Sequence, residues 1–219
     1  MTRGTASPTS PERIAELLAP FVGSALSDPQ VSAISAYMNL LQKWNAKLNL
    51  TAIRVSQEII TRHFGESLFA AKQIFPTGDS RESVIDVGSG AGFPGLPLKL
   101  WSANLELTLV ESNQRKATFL REVIRALNLK STIVLTERAE SVSLRSAVVT
   151  FRAVERFEHI LHVAFGLVKP GGKIALLTSE TQAEKAESTL PSITWRPPMK
   201  IPLTKHGRLL IGDAKHSKT

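Results

Sequence analysis

Glycines at 88, 90 and 92, an acid at Glu111 and an arginine at Arg152 are the residues of this 219-residue chain whose types and spacing speak most directly of chemistry. The β-branched run Ser83-Val84-Ile85-Asp86-Val87 leads into Gly88-Ser89-Gly90-Ala91-Gly92-Phe93-Pro94-Gly95, and apolar Leu96, Leu98, Leu100 and Trp101 follow at helical spacing. Strand, tight turn and helix are the reading. Such a turn needs glycine where the backbone takes positive φ and a ligand comes against the main chain, and the amides of the following helix favour negative charge. Glu111 follows at the end of the next apolar run, where a carboxylate can accept both ribose hydroxyls of an adenosine. At the strand end after that stands Glu137-Arg138-Ala139-Glu140, placed to meet an adenine through a backbone amide or an acid. Arg152 is the candidate catalytic residue, because its planar fork at a sheet's carboxyl edge can hold a carboxylate, a phosphate or the O6 edge of a guanine. Alternatively it forms a salt bridge with Glu155 or Glu111. The dinucleotide fingerprint G-x-G-x-x-G would place its third glycine at 93, where the chain has Phe93, and this speaks against a nicotinamide enzyme.

Composition sets outer bounds. The chain is long enough for one good core with a small appendage, and 42% apolar with 21% charged residues is ordinary for a soluble globular protein. No run approaches the length of a transmembrane span, and no apolar signal core opens the chain, so a cytoplasmic protein without membrane partners is expected. Cysteine is absent, which excludes disulfides, cysteine-zinc sites and thiolate nucleophiles. The net charge of +8 is carried mainly by residues 111–156 and 181–219. A basic surface of this kind suits a polyanion such as nucleic acid, or else serves solubility alone.

These residues need positioning elements. Residues 1–9 are small and polar and are expected to form a disordered tail. Ser10-Pro11-Glu12 and Ser27-Asp28-Pro29 are helix starts, followed by the stripes Ile14, Leu17, Leu18, Phe21 and Val31, Ile34, Tyr37, Met38, Leu41, Trp44. Ser56 begins a third helix, on which His63 falls on or beside the apolar stripe and is expected to be a packed, hydrogen-bonded side chain. Residues 10–80 thus form a helical extension packed on a core domain of residues 81–219. In the core, strands are expected at Val84–Val87, Leu105–Val110, Thr132–Leu135, Ala147–Phe151 and Lys173–Thr178. Helices are expected at Leu96–Trp101, Asn113–Leu127 and Arg156–Val168, the last stopped by Lys169-Pro170-Gly171-Gly172. This alternation predicts an α/β fold with a mostly parallel, doubly wound sheet. Past Glu180 the pattern weakens, leaving Ile193–Trp195 and Arg208–Ile211 as a closing hairpin at the edge. Prolines 191, 197, 198 and 202 keep much of that stretch out of a central strand.

The three strand ends together resemble the cofactor cradle of Rossmann-like, class I S-adenosylmethionine-dependent methyltransferases. In that reading the amino-acid end of S-adenosylmethionine lies beside the glycine turn, at Gly88, Ser89 and Gly90, and Glu111 holds the ribose. Four separated stretches narrow the match: Trp44–Thr51, Arg62-His63-Phe64-Gly65-Glu66-Ser67-Leu68, Ile85–Pro97 and Phe151-Arg152-Ala153. In this order they are similar to the bacterial 16S ribosomal RNA guanine-N7 methyltransferases, the RsmG (GidB) family. The resemblance covers about residues 37–180 and implies methyl transfer from S-adenosylmethionine to N7 of a guanine in the small-subunit RNA. It further implies cofactor contacts by Gly88, Phe93, Ala139, Glu140 and Arg152, with Arg152 also meeting the RNA. The substrate would be 16S rRNA within the 30S subunit or a precursor, met by a monomer that uses no metal. Lys47, Asn49 and Arg54, in the turn between two helices, and Arg62 are candidate RNA contacts. One departure stands out: the family usually has aspartate before the serine of the helical motif, and this chain has Glu66 after Gly65.

The residues agree chemically with that implication. Methylation at a pyrimidine carbon usually takes a cysteine nucleophile, and the chain has none. Methylation of an exocyclic amine commonly uses an Asn/Asp-Pro-Pro-aromatic turn after the fourth strand, where this chain reads Phe151-Arg152-Ala153-Val154. Guanine N7 carries a lone pair and no proton, so positioning suffices and no general base is needed. A small-molecule methyltransferase on the same fold and a non-catalytic RNA-binding assembly factor are the competing readings.

Overall fold

The computed structural model describes residues 9–152 and 156–215. The expected tail at 1–9 therefore lies, except for residue 9, outside the described residues. Helix α1 (Pro11–Val22) starts where Ser10 accepts a hydrogen bond from the Arg13 amide at 3.3 Å, and it stops at Gly23. The longer α2 (Asp28–Leu48) begins at Ser27, whose amide donates to the Gln30 side chain, and it ends at Asn49 with φ of 44°. These ends follow from the capping residues, which satisfy amides the helix itself leaves open. The third expected helix is a composite of α3 (Ser56–Glu58), a π-helical segment (Ile59–Gly65) and α4 (Glu66–Ile74). Gly65 has a steric reason: a Cβ there would stand 2.6–2.8 Å from three ring carbons of Phe21 on α1. The departure at 65 is thus a packing solution between α1 and the π segment.

From residue 83 the chain alternates as expected: β1 (Ser83–Val87), α5 (Gly95–Trp101), β2 (Glu106–Val110), α6 (Gln114–Ala126), β3 (Thr132–Leu135), β4 (Ser146–Arg152), α7 (Phe157–Gly166) and β5 (Val168–Ser179). The sheet order is β3-β2-β1-β4-β5, all parallel. The order reverses between β1 and β4, and the carboxyl ends of the strands on either side of such a switch are where ligands bind in open α/β sheets. β5 runs through the expected stop at Lys169-Pro170-Gly171-Gly172. Gly171 takes φ of 73°, and regular pairing with β4 resumes at Lys173.

The tail departs from expectation. α8 (Glu180–Thr189) begins with a reciprocal cap between Ser179 and Gln182, and three strands follow: β6 (Thr194–Trp195), β7 (Met199–Lys200) and β8 (Gly207–Asp213). β8 does pair antiparallel with β6, as expected, but it is not itself at the edge. It pairs antiparallel with β5 along its whole length, from Lys173↔Asp213 to Ser179↔Gly207, and the short β6 and β7 lie outside it. Proline confines the neighbours rather than β8, which carries none.

Alternate residues of the strands feed two cores. Val84, Val148 and Leu209 face the core shared with α1, α2, α4, α5 and α6, whereas Ile85, Val149 and Leu210 face the one shared with α7 and α8. The period of two in the strands makes both layers possible. The N-terminal helices therefore cover one face of the sheet together with α5 and α6.

Candidate active site

The glycine turn has the backbone that its composition predicts. Gly88, Gly90 and Gly92 take φ of 66°, 57° and 91°. Gly92 also leaves no room for a side chain, since a Cβ would collide with the Tyr37 hydroxyl and with Leu96. Tyr37 reaches across from α2 to donate to the Ala91 carbonyl, so the extension fixes the turn directly. Ser89 is buried and donates its hydroxyl to the Asp86 carbonyl at 2.9 Å.

Glu111 is buried at the end of β2 and is no surface acid. One of its oxygens accepts the Gly90 amide at 2.9 Å, and the other accepts the Asn113 amide at 2.7 Å. A carboxylate offers about four lone-pair positions, so half its capacity is left for a ligand. Glu111 lines a cleft of about 450 Å³ together with Gly88, Lys116, Ala139, Glu140 and Ile160. This size falls within the range of small-molecule sites. The cleft lies at the carboxyl ends of β1, β2 and β3, with α7 opposite. Glu140 is held by His159 at 2.7 Å, and that hydrogen bond lowers its pKa.

Of the residues expected at the cofactor, Gly88, Glu111, Ala139 and Glu140 thus line one cleft, and Ser89, Gly90, Phe93 and Arg152 do not. Ser89 and Gly90 are used inside the turn. The ring of Phe93 is stacked between His63, at 4.9 Å, and Tyr37, at 5.4 Å, with the Phe64 edge against it. Its role here is to join the π segment, α2 and the turn. Lys116 and Ile160 were missed because only the folding of α6 and α7 over the strand ends brings them in.

Arg152, at the end of β4, pairs with Glu66 and not with Glu111: its Nη2 donates to Glu66 Oε2 at 2.9 Å, and Glu155, the other sequence candidate, lies outside the described residues. Its Nη1 stands 3.5 Å from His63 Nδ1, and His63 Nε2 is 2.7 Å from the Thr51 hydroxyl. Arginine only donates, so His63 Nδ1 is the acceptor and the ring proton is assigned to Nε2. Burial, with the Arg152 and Arg62 cations adding to it, pushes the His63 pKa down to about 3. Burial raises the Glu66 pKa while the two arginines oppose it. Glu66, buried on a helix and one turn from Arg62, is the site residue whose signal was visible without being read.

Arg152 and Glu66 face a second cleft, of about 530 Å³, shared with Arg62, Gln182, Leu203 and Lys205. It lies at the carboxyl ends of β4 and β5, across the switch point from the first. Of the expected RNA contacts, Arg62 lies here. Lys47 and Asn49 lie elsewhere, around a smaller cleft of about 250 Å³ with Arg115 and Lys116. Arg54 is spent within the turn, donating to the Asn45 carbonyl at 2.9 Å and to Asn49 Oδ1 at 2.8 Å.

A reversing parallel sheet with a buried acid after β2, a glycine turn after β1 and an antiparallel strand beside β5 is the architecture of the class I S-adenosylmethionine-dependent methyltransferases. Solved structures share it: an S-adenosylmethionine-dependent O-methyltransferase of Thermotoga maritima superposes with a TM-score of 0.55 at 13% identity, over 70% of this chain and 66% of its own. A predicted O-methyltransferase of Agrobacterium tumefaciens gives 0.54 at 21% identity, over 70% and 81%. Sequence narrows the class. The family model described as rRNA small subunit methyltransferase G (GidB) matches residues 30–200. The ribosomal RNA small subunit methyltransferase G of Roseiflexus castenholzii is 40% identical over 69% of this chain and 66% of its own length, and that of Bacillus subtilis 34% identical over 78% and 74%. The chain belongs to this family. Its match to the Roseiflexus protein takes in just under two thirds of that relative's length.

Proposed function

We propose that the protein transfers a methyl group from S-adenosylmethionine to N7 of a guanine in 16S ribosomal RNA, acting as a cytoplasmic monomer on the 30S subunit or a precursor. The observation that carries this is Glu111, a buried acid in a 450 Å³ cleft beside a glycine turn that it helps to hold. The residues fit the cofactor: Glu111 has lone pairs left that would take ribose hydroxyls, Ala139 and Glu140 in the same cleft would meet the adenine, and Gly88 would receive the amino-acid end. When bound, S-adenosylmethionine supplies an electrophilic methyl group on a sulfonium.

The chain's own residues have the task of alignment. Guanine N7 offers its lone pair without losing a proton, so no base is required. His63 agrees with this, because its depressed pKa and its two fixed nitrogens suit it to holding Arg152 rather than to moving protons. Arg152 is assigned to the O6 edge or a phosphate of the substrate. It must leave N7 free, so the bidentate O6/N7 grip common in nucleic-acid recognition is excluded here. Glu66 then has an electrostatic purpose: it neutralises the guanidinium beside a base that becomes cationic on methylation.

The test mixes the purified protein and methyl-labelled S-adenosylmethionine with bare 16S RNA, with 30S subunits and with a panel of small metabolites. Label is expected as N7-methylguanine in one RNA form or both. Its absence from both, or label in a metabolite alone, overturns the reading.

A further inference from the structure

Among the described residues, Leu203 is the most exposed large apolar side chain, at 72%, and it takes φ of 56°. Either feature alone would be minor. A leucine in the left-handed region is a strained choice where glycine or asparagine would be relaxed, and a strained residue on view points to function. The loop holding it is closed by its own hydrogen bonds. Ile201 donates its amide to the Gly207 carbonyl at 3.1 Å, and the Thr204 hydroxyl donates to the Ile201 carbonyl at 2.8 Å. The strain therefore does not come from a slack connection. It presents the side chain at the rim of the cleft that holds Arg152 and Arg62, with Lys205 and His206 following on the same loop. Such a rim pairs one apolar finger with cations.

The geometry points to Leu203 as an apolar finger that packs against a nucleobase of the RNA at this cleft, with Lys205 on the neighbouring backbone. The inference rests on the proposed function and deepens it. Sequence-specific RNA recognition mostly targets unstacked bases, which side chains then cover, and apolar side chains commonly fill a step that a base has left. Residues 202–207 lie beyond the stretch 30–200 that the family model matches.

Leu203→Asn removes the apolar group and suits the left-handed backbone, so it should fold at least as well as the parent, and Leu203→Met restores apolar reach. Three quantities are read on the full chain: methyl transfer to 16S RNA and 30S subunits, binding of a 16S RNA transcript, and the Kd for S-adenosylmethionine. The inference expects L203N to lose at least tenfold in kcat/KM and to bind RNA more weakly, with unchanged cofactor Kd, and L203M to recover most of the loss. Losses below about threefold in L203N overturn it, as does an equal loss of cofactor affinity, which would mark a structural role. If the parent transfers no methyl to either RNA form, the enzymatic reading falls by itself. RNA binding then decides: weakening by L203N and recovery by L203M sustain the finger, and equal binding removes it.

Discussion

Glu111 illustrates how much one buried carboxylate can hold. Its two oxygens accept amides from the glycine turn and from the start of α6, so loss of the side chain would strip both. Glu111→Ala is expected to weaken S-adenosylmethionine binding by about 1.5–3 kcal/mol, the scale of a charged hydrogen bond, and to lower the melting temperature as well. Titration calorimetry on the folded variant checks this, and an unaltered Kd refutes the ribose role. His63 and Asp86 give the site opposing responses to acid. Unfolded His63 takes a proton near 6.5, whereas the folded one resists until about 3, so its contribution is complete above 6.5 and is lost as pH falls. Burial pushes Asp86 up to about 7, and one of its oxygens is buried without a partner, so its effect runs the other way: stability is lost as pH rises from 3.8 toward 7. Each slope is at most about 1.4 kcal/mol per pH unit. Between pH 4.5 and 6.5, acidification should therefore stabilise His63→Gln relative to the parent and destabilise Asp86→Asn. Parallel melting curves for all three proteins would refute this.

At the scale of elements, the N-terminal helices are coupled to the site through two junctions. The first is Gly65 beneath the Phe21 ring. Gly65→Ala is expected to cost about 1–3 kcal/mol by overpacking, and Phe21→Leu in the same chain should return part of it. A urea double-mutant cycle measures this, and additive losses would disprove the contact as cause. The second junction is the Glu66–Arg152 pair, which ties α4 to the end of β4. Removing one partner of a buried pair leaves an uncompensated charge, so Glu66→Ala should lose about 3 kcal/mol, while Arg62→Ala, on the exposed side of the same acid, should lose under 1 kcal/mol. Equal losses would show that burial is not what separates them.

Over the whole molecule, the excess of +8 must meet its partner through particular surfaces. Lys47 and Arg115, distant in sequence, share one small cleft. If each neutralises one phosphate, Lys47→Ala and Arg115→Ala should each lower the slope of log affinity against log salt by about 1 for a 16S RNA transcript. Arg54→Ala should leave that slope alone and lower stability instead, because its guanidinium serves the turn. Filter binding at several salt concentrations separates the two behaviours.

The local grammar of the chain determined the strand–helix alternation, the glycine turn, the acid at the end of β2 and the first two helix starts, because each depends on residues within a few positions of one another. Ser179-x-x-Gln182 belonged to the same grammar and marked α8, although the weak pattern around it hid the signal. Only tertiary structure decided that β8 enters beside β5, that Phe93 is a stacked girder, that Arg152 meets Glu66, and that the tail brings Leu203 to the rim of their cleft. These arrangements join residues up to about 140 positions apart, and their energies come from burial and charge neutralisation, which no local pattern encodes.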